Sequence, residues 1–276
     1  RPLTERVRFR GTAGLARGGI RGTGRRGMQS TVTPSLLGKA ALVTGASRGV
    51  GAAVAHGLAR RGADVALNFR SKAARAEAVA GLVRAAGRRP LLAQADITSL
   101  EEMSHMMAEV ERAFGRLDLL VLNASGGLER GKPAEYPMLL NRDAQLQAVE
   151  LALPLMPRGG RIVFVTSHLA HFHSDEPVLP EYEPVAASKR AGEVALRQRI
   201  QQLEERGVSL VVVSGDLIEG TITPKLLQRA RPGLIEERRG QAGELPTVEE
   251  FAAAIVDAAG DEGLESGATV YVGSVD

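Results

Sequence analysis

The stretch KAALVTGASRGVGAAVAHGLA, residues 39–59, decides the fold. Its apolar run leads directly into Gly45, Gly49 and Gly51, and then into an alanine-rich segment with helical spacing. This order is typical of a strand, a tight turn and the start of a helix, with glycine where a Cβ would prevent the backbone angles or the close approach. The free N–H groups of a helix N-terminus attract anions, so the stretch predicts a nucleotide-phosphate site. The alternative is a turn with a structural role only.

Short runs rich in Val and Leu follow this stretch and alternate with segments of helical periodicity. The predicted strands are Ala40–Thr44, Asp64–Asn68, Pro90–Gln94, Leu119–Asn123, Arg161–Thr166, Ser209–Ser214 and Thr269–Val272. The predicted helices lie near 49–61, 72–87, 99–115, 141–156, 185–206 and 247–259. The alternation predicts an α/β protein: a single-domain, doubly wound parallel sheet (Rossmann fold) of about seven strands with helices on both faces. A ligand then binds at the carboxyl edge of the strands.

Length and composition narrow the range of functions. A chain of 276 residues, 44% of them hydrophobic, predicts one globular domain, which we place at 36–276. The absence of cysteine excludes a disulfide framework, a thiol nucleophile and a thiolate metal site. No apolar run reaches the ~18 residues that cross a bilayer, and 3% aromatic residues argue against stacking on single-stranded nucleic acid. We expect a cytoplasmic protein with no membrane, nucleic-acid or metal partner.

The positive net charge comes from the N-terminal segment. Residues 1–27 contain eight arginines and one acid, whereas residues 28–276 carry a net charge of −4. The segment is rich in glycine and lacks hydrophobic periodicity, so we expect residues 1–35 to be disordered and outside the native fold. It is either a transit peptide or nucleic-acid tail, or an extension upstream of a translation start at Met28. We favour the extension.

Three stretches interrupt the alternation of strands and helices: 124–140, 168–184 and 215–246. They contain Gly, Pro and charged residues without a clean period. Segments of this length in a compact domain are commonly binding loops or lids, so we expect them to shape the substrate pocket. A helix after Thr223 and the polar residues through Gly243 form the predicted lid.

The sequence resembles the short-chain dehydrogenase/reductase family over residues 36–275. The resemblance is carried, in the family's order, by Thr44–Gly51, Asp96-Ile97, Asn123-Ala124-Ser125-Gly126, Asn141, Ser167 and Lys189. Six matches in order are far more specific than a glycine triplet alone. The resemblance implies a nicotinamide cofactor held by the glycine turn, with Asp96 near the adenine; the alternative for Asp96 is a helix N-cap.

The end of the second predicted strand distinguishes NADP from NAD. A carboxylate there would bind the ribose 2′-hydroxyl of NAD and repel a 2′-phosphate. The sequence reads Leu67-Asn68-Phe69-Arg70-Ser71, with no acid, and Arg48 lies in the glycine turn. A guanidinium presents a planar fork of donors that matches a phosphate, so Arg48 and Arg70 predict NADP(H). The alternative is that both arginines are solvated surface residues.

After the sixth predicted strand, Gly215 and Thr221 stand where the family places a loop over the nicotinamide. Asp216 and Glu219, on the same loop, face either substrate or solvent. The predicted cofactor-binding residues are Gly45, Ser47, Arg48, Gly49, Val50, Gly51, Arg70, Ser71, Asp96, Ile97, Asn123, Ala124, Ser125, Lys189, Gly215, Leu217 and Thr221.

In relatives that reduce ketones, a serine, a tyrosine, a lysine and an asparagine act together. The resemblance implies that Ser167 fixes the substrate carbonyl, Lys189 holds the nicotinamide ribose, and Asn141 orders a water relay. The proton-donating tyrosine of the family lies four residues before the lysine, where this sequence has Val185. Valine cannot donate a proton, so the family's mechanism does not transfer unchanged.

Two other residues are candidates for the proton donor. Tyr182 lies seven residues before Lys189 and reaches the site along one helix face or from the preceding loop. His171 belongs to the segment 168–173, which holds three of the five histidines, and histidine titrates near neutrality. The alternatives are a tyrosine packed for its apolar area and simple loop histidines. Metal binding through His171 and His173 lacks a third ligand.

The expected function is NADPH-dependent reduction of a ketone or aldehyde of a small or medium-sized metabolite, with a non-standard proton donor. The substrate is therefore a small carbonyl compound or the matching alcohol. Two alternatives stay open: a catalytically inactive NADP(H)-binding regulatory protein, and a non-redox lyase or isomerase in the same pocket. The expected assembly is a homodimer or homotetramer.

Overall fold

The computed structural model describes residues 36–129, 131–174 and 178–275, so the predicted leader 1–35 lies outside the described residues. The described residues contain seven strands: β1 Ala40–Val43, β2 Asp64–Phe69, β3 Pro90–Gln94, β4 Leu119–Leu122, β5 Arg161–Ser167, β6 Ser209–Gly215 and β7 Thr269–Val272. All strand pairs are parallel, and the order in the sheet is β3-β2-β1-β4-β5-β6-β7. This confirms the predicted doubly wound sheet.

Helices connect the strands and cover the sheet. They are α1 Gly49–Arg60, α2 Ala73–Ala85, α3 Leu100–Phe114, α4 Tyr136–Met138, α5 Ala144–Ala152, α6 His168–His171, α7 Glu183–Arg197, α8 Ile200–Glu205, α9 Ile222–Ala230, α10 Leu234–Ala242 and α11 Val248–Gly260. A π-helical turn, Leu139–Asp143, joins α4 to α5, and a 3₁₀ turn, Leu153–Leu155, follows α5. Within the described ranges, no helix is both long and apolar enough to cross a bilayer.

The strands are apolar on both sides because each face of the sheet carries its own core. Successive residues of a strand point to opposite faces. Accordingly, Val43 packs into the core beneath α1 and α11, whereas Leu42 packs into the core beneath α3 and α5. Both side chains are fully buried. A helix layer on each face therefore explains the runs of Val and Leu that predicted the strands.

The predicted strands agree with the structure to within one residue at each end, but two predicted helices differ. The predicted helix 185–206 is divided into α7 and α8, and the predicted helix 141–156 is replaced by a π-helical turn, α5 and a 3₁₀ turn. The sequence predicted one helix within the three interrupting stretches, after Thr223, and α9 confirms it. The three stretches are more helical than their lack of a clean period indicated. They contain the helices α4, α6, α9 and α10. No residue of α10 is buried, so this helix produces no hydrophobic period in the sequence.

The sheet places the site at the carboxyl ends of β1 and β4. β1 pairs with β2 on one side and with β4 on the other, so the winding direction of the chain reverses between β1 and β4. A reversal of this kind opens a crevice above the strand ends, where α/β sheets bind ligands.

Candidate active site

The glycine turn after β1 is packed against the end of β4. Gly45 has φ of +67°, and a Cβ there would lie 3.1 Å from Ala124 Cα. A Cβ on Gly51 would lie 2.6 Å from Asn123 Nδ2 and would also collide with the Gly45 carbonyl oxygen. Asn123 Nδ2 donates to the Thr44 carbonyl oxygen at 2.9 Å and so links the two strand ends. Glycine is required at both positions for steric reasons.

The N-terminus of α1 fits an anion. Arg48 is its N-cap residue, and no side chain caps the first N–H groups. No protein atom of the described residues lies within 4 Å of a Cβ built on Gly49, so the space beside the turn is open. Uncapped N–H groups and the positive end of the helix dipole face this space. The turn therefore has both the room and the donors for a pyrophosphate.

Asn68 holds the turn in place and was not predicted from the sequence. Its Oδ1 accepts from the Gly45 N–H at 3.2 Å, and its Nδ2 donates to the carbonyl oxygens of Ala93 and Ala95 at 3.2 and 3.1 Å. The side chain is 2% exposed, so these hydrogen bonds form away from water. The sequence indicated only that the end of β2 lacks an acidic residue. It did not indicate that the amide of Asn68 would hold the glycine turn.

The ends of β2 and β3 carry the residues predicted for the adenosine. Arg70 Nη1 donates to the Tyr136 hydroxyl at 2.9 Å and lies 3.8 Å from Asp96 Oδ2. Ile97 is buried and Ser71 is exposed. The alternative that Asp96 caps a helix is wrong in detail, because the N-cap of α3 is Ser99, whose Oγ accepts from Glu102 N at 3.3 Å.

Asp96 instead organises the turn before that cap. Its Oδ1 accepts from the backbone N–H and from the hydroxyl of Thr98, at 3.0 and 2.7 Å. Burial alone would raise the pKa of Asp96, but these hydrogen bonds and the nearby Arg70 hold it below its usual value. Asp96 is thus an anion at neutral pH.

A cavity of about 450 Å³ lies above the ends of β4, β5 and β6. All three interrupting stretches contribute to its wall, through Leu128, Leu169 and Leu226 for example, as the sequence predicted. The predicted site residues that line it are Arg48, Val50, Asn123, Ser125, Ser167, Tyr182, Lys189, Leu217 and Thr221. The predicted residues outside this lining are Gly45, Ser47, Gly49, Gly51, Arg70, Ser71, Asp96, Ile97, Ala124, Asn141, His171 and Gly215.

Tyr182 and Ser167 face this cavity together. Tyr182 is the N-cap residue of α7, and its carbonyl oxygen accepts from the N–H groups of Val185 and Ala186, both at 3.0 Å. Burial raises the pKa of the Tyr182 phenol, and the nearby Ser167 hydroxyl partly offsets this increase. Ser167 Oγ is buried and makes no hydrogen bond of standard geometry within the described ranges. The cavity wall therefore contains a protonated phenol and a hydroxyl that no well-formed hydrogen bond occupies in the described structure.

Lys189 brings a buried ammonium to the same cavity. Its side chain lies on the face of α7 that carries Tyr182 and Val185, and it is 8% exposed. Burial lowers the pKa of Lys189 to about 8, an effect that Glu193 partly opposes. In the part of the chain that the structure describes, Lys189 Nζ has no hydrogen-bond partner. A buried amine of this kind is suited to hold polar groups of a ligand.

Asn141 supports the cavity from behind. It lies in the π-helical turn, and its Nδ2 donates to the Gly126 carbonyl oxygen and to Ser188 Oγ, both at 2.9 Å. Its Oδ1 accepts from the Gly126 N–H at 3.2 Å. The side chain thus joins α7 to the turn after β4 and has little capacity left for the water relay that the resemblance implied. Single π-helical turns often occur at functional sites.

Comparison with known proteins identifies the family. The family model described as short chain dehydrogenase matches residues 39–230. The chain belongs to the short-chain dehydrogenase family. It is 34% identical over 206 residues to the hydroxynaphthalene reductase arp2 of Aspergillus fumigatus, an alignment that covers 72% of this chain and 73% of that protein. The family and its reductase relatives identify the chain as an oxidoreductase.

Solved structures of short-chain dehydrogenases show the same fold. A short chain dehydrogenase from Burkholderia cenocepacia J2315 in complex with NADP has a TM-score of 0.75 and 31% identity; the match covers 86% of this chain and 97% of that one. The angucycline C-6 ketoreductase LanV with bound NADP has a TM-score of 0.73 and 27% identity, with coverage of 87% and 95%. The Rossmann fold of the short-chain dehydrogenases is thereby confirmed for this chain.

The three histidines after β5 are not among the lining residues of this short-chain dehydrogenase cavity. His171 Nδ1 is 2.9 Å from Glu193 Oε2, and His171 Nε2 is 2.9 Å from the Tyr271 hydroxyl. Burial lowers the pKa of His168 to about 4, so its ring is neutral. His173 contacts Glu183 at 2.7 Å. Across the described residues, no three His, Asp or Glu side chains converge to hold a metal ion.

The acids after β6 are engaged with the lid helices of the short-chain dehydrogenase. Asp216 Oδ2 is 2.9 Å from Arg238 Nη2, and its carboxylate is buried at the wall of the cavity. Glu219 Oε1 accepts from Arg239 Nε at 3.1 Å near the surface. Both arginines belong to α10, so the two ion pairs hold this helix against the loop after β6. The sequence left open whether these acids face substrate or solvent; the structure places both against arginines.

Proposed function

We propose that the protein is an NADPH-dependent reductase of a ketone or aldehyde in which Tyr182 donates the proton. One observation carries the proposal: Ser167, Tyr182 and Lys189 line a single cavity, and residues of the glycine turn line the same cavity. These are the three kinds of side chain that carbonyl reduction requires, although the tyrosine comes from a different position than in the family.

The cofactor is NADP(H). The uncapped N-terminus of α1 would take the pyrophosphate, Arg48 and Arg70 would take the 2′-phosphate, and Lys189 would hold the nicotinamide ribose. The absence of an acid at the end of β2 removes the group that would repel the 2′-phosphate. When bound, the reduced nicotinamide supplies a hydride to the carbonyl carbon of the substrate. The NADP complexes of similar short-chain dehydrogenases support this assignment.

The chain's own groups polarise the carbonyl and supply its proton. Ser167 Oγ, which lacks a partner of good geometry in the described structure, donates a hydrogen bond to the substrate oxygen. Tyr182 transfers its phenolic proton to the same oxygen as negative charge develops there, because burial keeps the phenol protonated at neutral pH. The Lys189 ammonium stabilises the resulting phenolate through charge. We assign no proton transfer to His171, because it lies outside the cavity lining.

The cavity favours a mainly apolar substrate. Its apolar wall residues include Val165, Leu169, Leu226 and Phe251, and Glu129, Thr166 and Thr223 add further polar groups to the lining. Apolar walls with a few placed donors are typical of pockets for small hydrophobic molecules. The similar hydroxynaphthalene reductase and angucycline ketoreductase are named for cyclic substrates. We therefore propose a cyclic ketone of small or medium size as the substrate class.

Val185 favours a second candidate, an NADP(H)-binding protein without turnover. This residue occupies the family's tyrosine position, is 4% exposed and lines the cavity, so an apolar group replaces the usual donor. The two candidate functions require the same cofactor site. They differ only in whether the protein catalyses a reaction with the bound cofactor. The third alternative from the sequence, a lyase or isomerase, gains no specific support from the geometry.

The test is NADPH oxidation by the purified full-length protein against a panel of cyclic and acyclic ketones, followed by cofactor absorbance. The reductase proposal expects turnover with at least one cyclic ketone and reversal with the matching alcohol and NADP⁺. Tight NADPH binding by calorimetry with no turnover across the panel would instead support the binder. Absence of NADPH binding would contradict both candidates.

The assembly and the location stay predictions. We propose a homodimer or homotetramer in the cytoplasm, with no nucleic-acid or membrane partner. Light scattering of the purified protein measures the assembly directly, and a monomer at micromolar concentration would contradict it.

A further inference from the structure

Tyr136 forms a contact at the adenosine end of the site that the proposed mechanism does not use. It lies at the start of α4, its ring is 5% exposed, and its hydroxyl accepts from Arg70 Nη1 at 2.9 Å. The two residues are 66 positions apart in sequence, so the contact depends on the fold. It ties the residue after β2 to the segment that follows β4.

The contact anchors one nitrogen of the Arg70 guanidinium and leaves its other edge available. Nη1 makes the hydrogen bond to Tyr136 and also lies 3.8 Å from Asp96 Oδ2. Within the described structure, neither Nε nor Nη2 of Arg70 makes a hydrogen bond. The Nε–Nη2 edge is the pair of parallel donors that binds a phosphate in a bidentate manner. A guanidinium fixed at Nη1 thus presents this edge in one orientation instead of several.

A second cation accompanies the same tyrosine. Lys132 Nζ lies 4.4 Å from the centroid of the Tyr136 ring, a cation–π distance, and its side chain is otherwise exposed. Lys132 is also close enough to Asp96 to help lower the pKa of that carboxyl. The segment after β4 therefore places a tyrosine and a lysine beside Arg70, at the carboxyl edge of the sheet but outside the catalytic cavity lining.

Two carboxylates limit how much positive charge this region has. Asp96 faces Arg70 at 3.8 Å, and Glu129 Oε2 accepts from the Gly127 N–H at 2.6 Å. The local positive charge of Arg70 and Lys132 is thus nearly balanced before a ligand binds. Recognition of a phosphate here then depends on orienting the donors as well as on net charge.

We infer that Tyr136 is a positioning residue for recognition of the adenosine 2′-phosphate: its hydroxyl orients Arg70, and Lys132, held on its ring, supplies a further cation to that phosphate. The inference rests on the proposed NADP(H) cofactor and adds two residues that neither the family resemblance nor the sequence motifs indicated. It concerns selectivity for the 2′-phosphate and leaves the chemistry at Tyr182 untouched.

Calorimetry with two adenosine nucleotides tests the inference without turnover. The probes are adenosine 2′,5′-bisphosphate and adenosine 5′-monophosphate, which differ only in the 2′-phosphate. The full-length protein binds the bisphosphate more tightly, and Tyr136→Phe reduces this preference about fivefold, as loss of one hydrogen bond predicts. Affinity for the monophosphate stays unchanged, because the phenylalanine ring keeps the buried packing.

A double substitution separates positioning from general damage. In an Arg70→Gln background, Tyr136→Phe causes no further loss of preference, since the group it orients is gone. Lys132→Gln lowers bisphosphate affinity at low salt and has little effect at high salt. Tyr271→Phe, which removes a hydroxyl bonded to His171 instead, is the matched control and leaves the preference unchanged.

The outcomes distinguish this inference from the proposed function. A wild-type protein that binds the two nucleotides equally would overturn both the NADP(H) assignment and the role of Tyr136. A wild-type preference that Tyr136→Phe leaves unchanged, or increases, would overturn the role of Tyr136 alone. In the turnover assay the inference expects a higher KM for NADPH with an unchanged kcat, and a fall in kcat alone would contradict it.

Discussion

Tyr182 and Lys189 lie seven residues apart on one face of α7, and both line the same cavity. Seven residues are two helical turns, so the side chains project to the same side of the helix. Val185 lies between them on this face, where the family has its tyrosine. The phenol of this chain is thus three residues nearer the N-terminus of α7, and it comes from the N-cap position instead of from the helix interior.

Removal of the Tyr182 hydroxyl tests its role directly. Tyr182→Phe keeps the ring, which is 4% exposed, and removes the proton that the proposal assigns to it. We expect kcat for ketone reduction to fall about 10²- to 10⁴-fold, the usual range for loss of a general acid, while NADPH affinity stays within twofold. Steady-state kinetics and calorimetry measure both quantities.

Tyr271→Phe is the matched control for this experiment, because Tyr271 also has a hydrogen-bonded hydroxyl but lies outside the cavity lining. It should leave kcat within a factor of about three. Turnover by Tyr182→Phe at the wild-type rate would eliminate Tyr182 as the donor and leave its ring with a packing role only.

The lowered pKa of Lys189 predicts that the free energy of unfolding rises with pH. Its pKa falls from 10.5 to about 8 on burial, so the folded state binds fewer protons than the unfolded state between these two values. The protein therefore becomes more stable as the pH rises between these two values. Below about pH 8 the buried charge destabilises the folded state to its full extent. At about 1.4 kcal/mol per unit, the cost at neutral pH is roughly 3 kcal/mol.

Lys189→Met removes this cost and should be more stable than the wild type at pH 7, by up to about 3 kcal/mol. The difference should narrow as the pH approaches 10. Urea denaturation at several pH values measures it, and activity is lost in the same variant. A constant difference between pH 7 and pH 10 would show that Lys189 does not titrate in this way.

The parts of the fold that the sequence predicted are those with local signals. The strands alternate with helices, and the glycine turn has its glycines at fixed spacing, so both follow from residues close together in the chain. Tyr182 was predicted as a candidate for the same reason, since its distance to Lys189 is a helical spacing. The lid helix α10 was missed because none of its residues is buried.

The parts that the sequence could not predict depend on contacts between distant residues. His171 and Tyr271 are 100 positions apart, and only the sheet brings them together. That contact, with Glu193 on the other side of the ring, removes His171 from the cavity lining, although histidine in isolation is a reasonable proton donor. Asn68 and Tyr136 support the cofactor site through hydrogen bonds of the same long-range kind.

Two glycine substitutions compare a required glycine with a dispensable one. Gly51→Ala would place a methyl group 2.6 Å from Asn123 Nδ2 and against the Gly45 carbonyl oxygen. We therefore expect the free energy of unfolding to fall by about 1–3 kcal/mol and NADPH binding to weaken by a similar amount. Gly81→Ala, in α2, has no atom of the described residues within 4 Å of the new methyl group. It should raise stability by about 0.5–1 kcal/mol and leave NADPH binding unchanged. Thermal unfolding with and without NADPH measures both variants, and equal effects would contradict the steric argument.

Glu193 is the centre of a buried network behind the cavity. It is fully buried, and its carboxylate contacts His171 Nδ1 and Arg197 Nε, each at 2.9 Å. Arg197 in turn donates to the Gly267 carbonyl oxygen and to Thr269 Oγ1, both at 2.6 Å, so α7 is joined to β7. Burial alone would raise the pKa of Glu193, but His171 and Arg197 hold it below its usual value.

Glu193→Gln should therefore destabilise the protein by about 3 kcal/mol at pH 7, because it leaves the partly buried Arg197 without its counter-charge. A carboxyl with a lowered folded pKa contributes stability above its unfolded value and loses it as the pH falls through the folded value. The difference between variant and wild type should thus shrink below about pH 4.5. Glu77→Gln is the matched control: Glu77 pairs with Arg84 at 2.8 Å, but both side chains are more than half exposed, and the change should cost less than about 0.5 kcal/mol. Urea denaturation from pH 3 to pH 8 distinguishes the two, and equal losses would show that the network around Glu193 contributes no more than a surface ion pair.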